Sequence, residues 1–222
     1  ISSPGEYLKK ITTLNLSHTP LQNLDRIDEY ENLKTLDISN TEVIDFLKLG
    51  KCKLSTLIMV DTEFEFKDIV VENNEEHDIL KTLENWDLSW TYLKDEPRFG
   101  NFITIKKLNL SNTSIKSIDG LTKKLGPNSE LVESKLKRLN ISNTNIKHLK
   151  GLEKLTQLED LNVSCNNLKD NAFEKDENEL LDHDENQDNS NEDNKILLPV
   201  SINRLNVSYT AITDSFLNKI SK

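Results

Sequence analysis

The chain has 222 residues, enough for one large domain or two small ones; 35% of them are hydrophobic and the net charge is −10. No apolar run approaches the roughly 20 residues that a membrane-spanning helix needs. The two cysteines, Cys52 and Cys165, lie 113 residues apart, which excludes a disulfide framework or a cysteine zinc site, and we expect both thiols to be free and buried.

One six-residue motif recurs eight times, with apolar residues at its first and third positions and Thr or Asn at its sixth. The copies are 14–19, 36–41, 57–62, 86–91, 108–113, 139–144, 161–166 and 205–210. They start 22, 21, 29, 22, 31, 22 and 44 residues apart, which fits a period of 22 with three insertions. Alternating apolar positions predict strands, and stacked repeats share one core. The eight motifs therefore predict one parallel sheet.

The pattern L-x-x-L-x-L-x-x-T/N resembles the leucine-rich-repeat family. The short unit is similar to the 22-residue intracellular subclass typified by the regulatory subunit of protein phosphatase 1. The resemblance implies a right-handed α/β solenoid of about eight repeats, a single domain over residues 1–222, with the sheet on the concave face of a horseshoe. The sixth position is usually Asn in this family, but seven of the eight are Thr here. We expect the Thr hydroxyl to bond the turn backbone instead.

Insertions lengthen three of the return segments between motifs. Residues 65–80 and 122–135 carry two of them. The third is acidic, with eleven acids and two bases over residues 170–195, so the remaining chain is nearly neutral. We expect residues 170–198 to be disordered, although a degenerate repeat around Leu180 and Leu181 is an open alternative. A neutral solenoid without a basic stripe is unlike a nucleic-acid-binding protein.

Four positions of each repeat are expected to face outward from the sheet. The second and fourth motif positions are almost always Asn or Asp and Ser, and we interpret them as structural, bonded across strands. Ile58 and Val60 interrupt these two columns in the third repeat. The residue before the motif and its fifth residue vary much more. The candidate partner-binding residues in these columns are His18, Trp90, Lys107, Arg138, Arg204 and Tyr209.

Three of these candidates have competing interpretations. Trp90 is expected on the concave face, where an exposed Trp is typical of an interface hot spot, or else packs against an insertion. Lys107 and Arg138 fall on adjacent strands. Either Asp160 on the next strand forms a surface salt bridge with Arg138, or a partner supplies a carboxylate or phosphate. Trp86 occupies a leucine position and is predicted to be core.

No catalytic motif emerges, so we predict neither an enzyme nor a cofactor or metal site. The hypothesis is a scaffold or adaptor that docks a signalling protein, a kinase or phosphatase, through an acidic or phosphorylated segment. The Asn-rich acidic insertion and the Asn- and Lys-rich loops are typical of fungal or protozoan proteins in composition, and the chain resembles the repeat domain of the fungal centriolin-like spindle-pole-body scaffold, which implies a role in mitotic-exit signalling. The alternatives are a cytoskeletal anchoring domain and the targeting arm of an enzyme whose catalytic domain lies outside this segment.

Two further expectations concern location and the C-terminal end. Six glycosylation acceptor sequences fall on the predicted strands or at their ends, where a sugar would obstruct the sheet. This favours a cytoplasmic or nuclear protein, with a spindle-pole or cytoskeletal site implied by the resemblance, and no membrane partner. Phe216, Leu217 and Ile220 predict a short helix that closes the core.

Overall fold

A computed structural model of the chain describes residues 5–65, 78–93, 99, 104–121, 133–174 and 198–220. The first two residues of each motif, together with the residue before them, form a strand of one parallel sheet, in chain order. The strands of this sheet are β1 (Thr13–Asn15), β2 (Thr35–Asp37), β3 (Thr56–Ile58), β5 (Asn85–Asp87), β7 (Lys107–Asn109), β8 (Arg138–Asn140), β9 (Asp160–Asn162) and β10 (Arg204–Asn206). The predicted α/β solenoid with one parallel sheet is confirmed.

The first apolar residue of every motif occupies the same register position in the sheet. Leu36 lies between Leu14 and Leu57, and Leu161 lies between Leu139 and Leu205. In the inner repeats this residue is buried, whereas Leu14 and Leu205 at the two ends are half-buried. A single repeat cannot cover its own apolar face, so each leucine is buried by the neighbouring repeats.

A second, two-stranded ribbon follows the turns of the third and fourth repeats. It pairs β4 (Glu63–Phe64) with β6 (Tyr92–Leu93) in parallel. Its inward residues Phe64 and Leu93 are buried, and its outward residues are exposed. The rings of Phe46, Phe64, Trp86 and Phe99 follow one another in edge-to-face contacts with centroids 5.2, 5.6 and 5.7 Å apart. The prediction that Trp86 is core is confirmed.

The fifth residue of every motif adopts a left-handed backbone conformation. The eight residues have φ between 52° and 62°: His18, Asn40, Asp61, Trp90, Asn112, Asn143, Cys165 and Tyr209. This conformation is uncommon outside glycine, and Asn and Asp tolerate it best. These residues therefore lie in the turn that leaves the sheet, and the sequence-based placement of this column on the strand face is corrected.

The fourth-position serines also differ from expectation, because several of them are buried rather than outward-facing. Ser39, Ser89, Ser111 and Ser164 are only 6–7% exposed. Most of their bonds are local: the second-position side chain accepts from the serine two residues later, as Asn109 does from the amide and hydroxyl of Ser111 at 3.2 and 2.8 Å. The left-handed turn begins next to the serine, so this residue already departs from strand geometry.

The sixth-position side chain closes the same turn. Six of the seven threonines donate to the carbonyl three residues earlier, as Thr113 does to Leu110 at 2.7 Å. Thr91 instead donates to Met59 of the preceding repeat at 2.6 Å. Asn166 reaches further, donating to Ile141 and Val163 and accepting from Thr144. The expectation that a hydroxyl replaces the family's Asn is confirmed.

Short helical elements form the described return segments and the ends. The 3₁₀ turns are Ile27–Glu29, Leu47–Lys51, Asp119–Leu121, Leu152–Lys154 and Asp170–Phe173, and the helices are α1 (Gly5–Leu8), α2 (Asp78–Thr82) and α3 (Asp214–Ile220). The predicted C-terminal helix is present as α3. Its closure of the core depends on Phe216, which is buried against Phe173, whereas Leu217 and Ile220 are 59% and 43% exposed.

The predicted boundary of the disordered segment, at residue 170, lies too early in the chain. Asp170–Phe173 form a 3₁₀ turn in which Ala172 and Phe173 are buried. Thr213 donates to Asp170 through its hydroxyl and amide at 2.5 and 2.7 Å, which lowers the pKa of the Asp170 carboxyl. The rest of the segment predicted to be disordered and the alternative repeat around Leu180 and Leu181 lie outside the described residues. Most of the insertions at 65–80 and 122–135 also lie outside them.

The two cysteines have different environments. Cys52 is buried, and its burial raises the pKa of the thiol to about 12. Cys165 is exposed in the left-handed turn of the seventh repeat, so the expectation of a second buried thiol is wrong. In the parts of the chain that the structure describes, no helix has the length and apolarity to cross a membrane.

Candidate functional site

A shallow groove of about 520 Å³ lies over the strands from β3 to β9. The residue that opens each strand and the residue that closes it face this groove. Both kinds of position contribute to its lining, including Ile58, Asn85, Asp87, Lys107 and Arg138. The parallel sheet brings these residues into rows because the strands are in register without offset.

Two cations lie side by side in this groove. Lys107 and Arg138 are register partners on adjacent strands, which are spaced by about 4.8 Å. Neither forms an ion pair with a described residue. Asp160, the acid that the sequence offered to Arg138, is bound instead by Arg204 at 2.7 Å on its other side. The expected Arg138–Asp160 salt bridge is therefore replaced by an Arg204–Asp160 pair.

The acids in and beside the groove already have partners within the chain. Asp87 accepts from the amide and hydroxyl of Ser89 at 2.9 and 2.7 Å and from the Asn109 side chain at 3.1 Å. Glu159, next to Asp160, is held by Lys137 at 2.8 Å. Lys137 lowers the pKa of Glu159, with smaller contributions from Arg138 and Arg204. Lys107 and Arg138 therefore form no ion pair within the described residues, although Arg138 contributes to the lowered pKa of Glu159.

The six candidate residues fall into two groups. Lys107, Arg138 and Arg204 open strands of the concave sheet, and Arg204 is occupied by Asp160. His18, Trp90 and Tyr209 are left-handed turn residues at the edge of the sheet. The structure therefore does not bring all six residues into one site.

The turn group includes exposed aromatic side chains. Trp90 is 61% and Tyr209 86% exposed. Sequence reasoning missed Tyr92, which is 65% exposed on the β4–β6 ribbon, opposite Glu63. The alternation of Tyr92 with the apolar Leu93 could have indicated an outward-facing strand residue.

The concave surface carries polar and charged side chains that can bind a ligand through hydrogen bonds and ion pairs. Its described side chains are hydroxyls, amides, the apolar Ile58, the carboxylates of Asp87 and Asp160, and two cations without an ion pair to a described residue, over a continuous hydrogen-bonded sheet. In the described ranges, no three His, Cys, Asp or Glu side chains are grouped to hold a metal ion. Two adjacent cations fit a carboxylate or a phosphate, which accept several hydrogen bonds at once.

No protein-family model matches the chain. Among curated proteins, Protein PAC2 of Saccharomyces cerevisiae is 32% identical over 122 residues, which covers 50% of this chain and 22% of that protein. The chain thus spans less than a quarter of the curated protein that it resembles.

Solved structures resemble the whole chain more completely. InlP from Listeria monocytogenes has a TM-score of 0.59 at 15% identity, with 98% of this chain and 62% of InlP covered. A chain of the mouse RP105/MD-1 complex has a TM-score of 0.53 at 17% identity, with 94% and 36% covered. Together with the eight-stranded parallel sheet, these similarities show the fold, a right-handed leucine-rich-repeat horseshoe with the sheet on its concave face.

Proposed function

We propose that this chain is a protein-binding scaffold whose concave face docks an acidic or phosphorylated segment of an intracellular signalling protein. The single observation that carries the proposal is the adjacent pair Lys107 and Arg138, exposed in the groove and unpaired with any described acid. Like charges in direct register destabilise a sheet, so an acid from outside the chain would relieve the repulsion.

The neighbouring side chains support a segment rather than a small ion. The groove extends across five repeats, the third to the seventh, and offers amide and hydroxyl groups on both sides of the cations, including Thr56, Asn85 and Asn140. Ile58 adds an apolar contact in place of the usual Asn or Asp. A partner would place its anionic group on the cations and its backbone over the polar rows.

Two observations bear on the nature of the partner. The 22-residue unit favours an intracellular adaptor for a kinase or phosphatase, and a spindle-pole location stays a prediction from the sequence. RP105, which occurs in a complex with MD-1, shows that a chain of this fold can occur in a complex with another protein.

The proposal is tested by reversing the two cations. Wild type, a Lys107→Glu, Arg138→Glu variant and a matched Lys116→Glu, Lys147→Glu variant are immobilised and incubated with extract of the source cells. Both variants change the net charge equally. We expect proteins that are retained by wild type and the control, lost by the concave variant, and lost by wild type after phosphatase treatment or in high salt.

The captured protein is then purified and titrated against the three chains. Reversal of both cations is expected to weaken binding by about 10- to 100-fold, because close charge-assisted pairs contribute about 1.5–3 kcal/mol. Identical sets of retained proteins for all three chains would contradict the concave site.

A further inference from the structure

The second residue of each motif forms a column across the concave sheet, and the third repeat interrupts this column. The residue is Asn in five repeats, Asp in the second and fourth, and Ile in the third. Ile58 lies between Asp37 and Asp87, because β3 pairs in register with β2 on one side and with β5 on the other. All three side chains are half-buried. We call these three residues the Ile58 row; it forms the N-terminal end of the groove.

The turn that follows each strand does not require a charge at the second motif position. Asn109 accepts from the amide and hydroxyl of Ser111 at 3.2 and 2.8 Å. Asp87 accepts from the same two groups of Ser89 at 2.9 and 2.7 Å. An amide oxygen therefore makes the same bonds as a carboxylate oxygen, and the negative charges of the Ile58 row are additional to what the turn needs.

Ile58 also changes the hydrogen bonds of its neighbour Asp37. Its side chain has no acceptor, and the amide of Val60 donates instead to the hydroxyl of Ser39 at 3.0 Å. Among the described groups, Asp37 accepts only from the Ser39 amide, at 3.0 Å, through its Oδ1. The Oδ2 of Asp37 therefore has no donor within the described part of the chain.

The two carboxylates of the Ile58 row have only neutral hydrogen-bond donors. Asp37 is bonded by a backbone amide, and Asp87 by Ser89 and by the side chain of Asn109. Lys107 lies on the strand next to β5, diagonally from Asp87, and no ion pair joins them. Because both carboxylates are half-buried, leaving their charge without a cation is unfavourable.

A lysine or arginine side chain has the chemistry that fits this row. The backbones of β2 and β5 are two strand spacings apart, about 9.6 Å, with Ile58 midway. The aliphatic stem of such a side chain would pack on Ile58, and its charged end would lie between the two carboxylates. Hydrogen bonds in which both groups are charged are shorter and stronger than those between neutral groups.

We propose that the Ile58 row binds a lysine or arginine of the same segment that docks its anionic group on Lys107 and Arg138. The inference rests on the proposed function of the groove and specifies its partner, a segment with a basic and an anionic residue at a fixed spacing. Opposite charges at the two ends of the groove also fix the direction in which the segment crosses the sheet.

The spacing follows from the sheet. β3 lies two and a half strand spacings from the midpoint between β7 and β8, which is about 12 Å. An extended segment advances about 3.3 Å per residue and turns every second side chain to the same face. The basic and the anionic residue are therefore four positions apart.

A selection from random peptides tests the spacing. Two libraries carry a fixed central residue, phosphoserine in one and Glu in the other, with random residues on both sides. The full chain is immobilised, and the peptides that it retains are sequenced. We expect Lys and Arg to be enriched four positions from the fixed residue, on one side only.

Conservative variants identify the groups that select the base. Asp37→Asn, Asp87→Asn preserves an acceptor for each turn and removes both charges. This variant should lose the enrichment of Lys and Arg and still retain peptides through their anionic residue. Lys107→Glu, Arg138→Glu should lose the dependence on the fixed anion. Melting followed by circular dichroism checks that both variants are folded.

The contribution of the base is measured with one selected peptide and its Lys→Gln or Arg→Gln counterpart, by fluorescence anisotropy. On wild type, the counterpart should bind about 10-fold more weakly, because charge-assisted hydrogen bonds are lost. On Asp37→Asn, Asp87→Asn the two peptides should bind equally. Glu42→Gln, Asp119→Asn is the matched control, since it removes two acids outside the groove and should behave as wild type does.

Three results would overturn the proposal. The retained peptides could depend on the fixed anion and show no basic preference at four positions, which would leave the proposed function intact. The basic preference could persist in Asp37→Asn, Asp87→Asn, so that other residues select it. Neither library could be retained, which would contradict the proposed function as well. A basic preference without dependence on the fixed anion would support the Ile58 row and contradict the role of Lys107 and Arg138.

Discussion

At the scale of single residues, the eight left-handed turn positions hold two kinds of side chain, those that tolerate this conformation well and those that do not. Four of its eight positions hold Asn or Asp, the side chains that tolerate this conformation best: Asn40, Asp61, Asn112 and Asn143. Asn143 also donates to Asn112 at 2.7 Å, which links neighbouring turns. Trp90 and Tyr209 adopt the same conformation without either advantage. Their side chains are mostly exposed, so packing does not offset the strain.

A substitution at Trp90 should therefore relieve the strain of the left-handed turn. Trp90→Asn is expected to raise the free energy of unfolding by about 1 kcal/mol, because the left-handed conformation costs a bulky residue roughly 1–2 kcal/mol. The measurement is urea unfolding followed by circular dichroism, at dilution low enough that the chain is monomeric. Tyr92→Asn is the matched control, since Tyr92 lies in a strand and has no such strain to relieve. Equal gains in both variants would contradict the explanation.

The sequence predicts some residue contacts better than others. Lys107 and Arg138 are neighbours because the motifs align, and counting positions is sufficient to find this. The partner of Asp160 could not be found in this way, because Arg138 and Arg204 flank it equally in register. The fifth motif residues were placed on the strand face because the alternation of apolar residues continues to the third motif position. That alternation gives no sign that the backbone turns at the fifth position.

At the scale of elements, the two ends of the sheet must be protected from water. The last repeat leaves Leu205 and Val207 half-buried, and α3 packs behind it. Phe216 is 1% exposed and its ring lies 5.0 Å from that of Phe173, while Lys219 forms an ion pair with Glu174. The apolar residues of α3 predicted a helix from sequence. Which of them is buried depends on the position of Phe173, within a segment that was expected to be disordered.

Removal of the Phe216 ring should loosen the last repeat. Phe216→Ala is expected to destabilise the chain by about 3 kcal/mol, the lower end for a buried Phe, because the site lies at an end that can open locally. Hydrogen exchange should show faster exchange at the amides of Asn203 and Arg204, which both donate to Glu159. Leu217→Ala, on the exposed face of the same helix, should cost less than about 0.5 kcal/mol. Comparable losses at both positions would argue against the cap.

At the scale of the whole molecule, the repeats determine the fold and the segments between them do not. Successive motifs are 21 to 44 residues apart, yet every strand pairs with its neighbour in the same register. The sheet and the core of the described residues could therefore be predicted from the eight motifs alone.

Replacing the acidic insertion tests whether this segment between two motifs contributes to the stability of the fold. Replacing residues 176–194 by an equal length of Gly and Ser removes nine acids and changes the net charge from −10 to −1. If the segment is outside the repeats, as we propose, the free energy of unfolding should change by less than about 0.5 kcal/mol, measured by urea unfolding at moderate salt. Loss of more than about 2 kcal/mol would indicate a buried repeat around Leu180 and Leu181.

The constant register determines how different kinds of mutation affect such a chain. A gain or loss of codons between two motifs alters one return segment and leaves every residue of the sheet beside its former neighbour. A substitution within a motif does the reverse, because it changes one row of a shared surface without altering chain length. Insertions and deletions can thus change the outer loops, and substitutions can change the recognition surface. Neither kind of mutation requires the other.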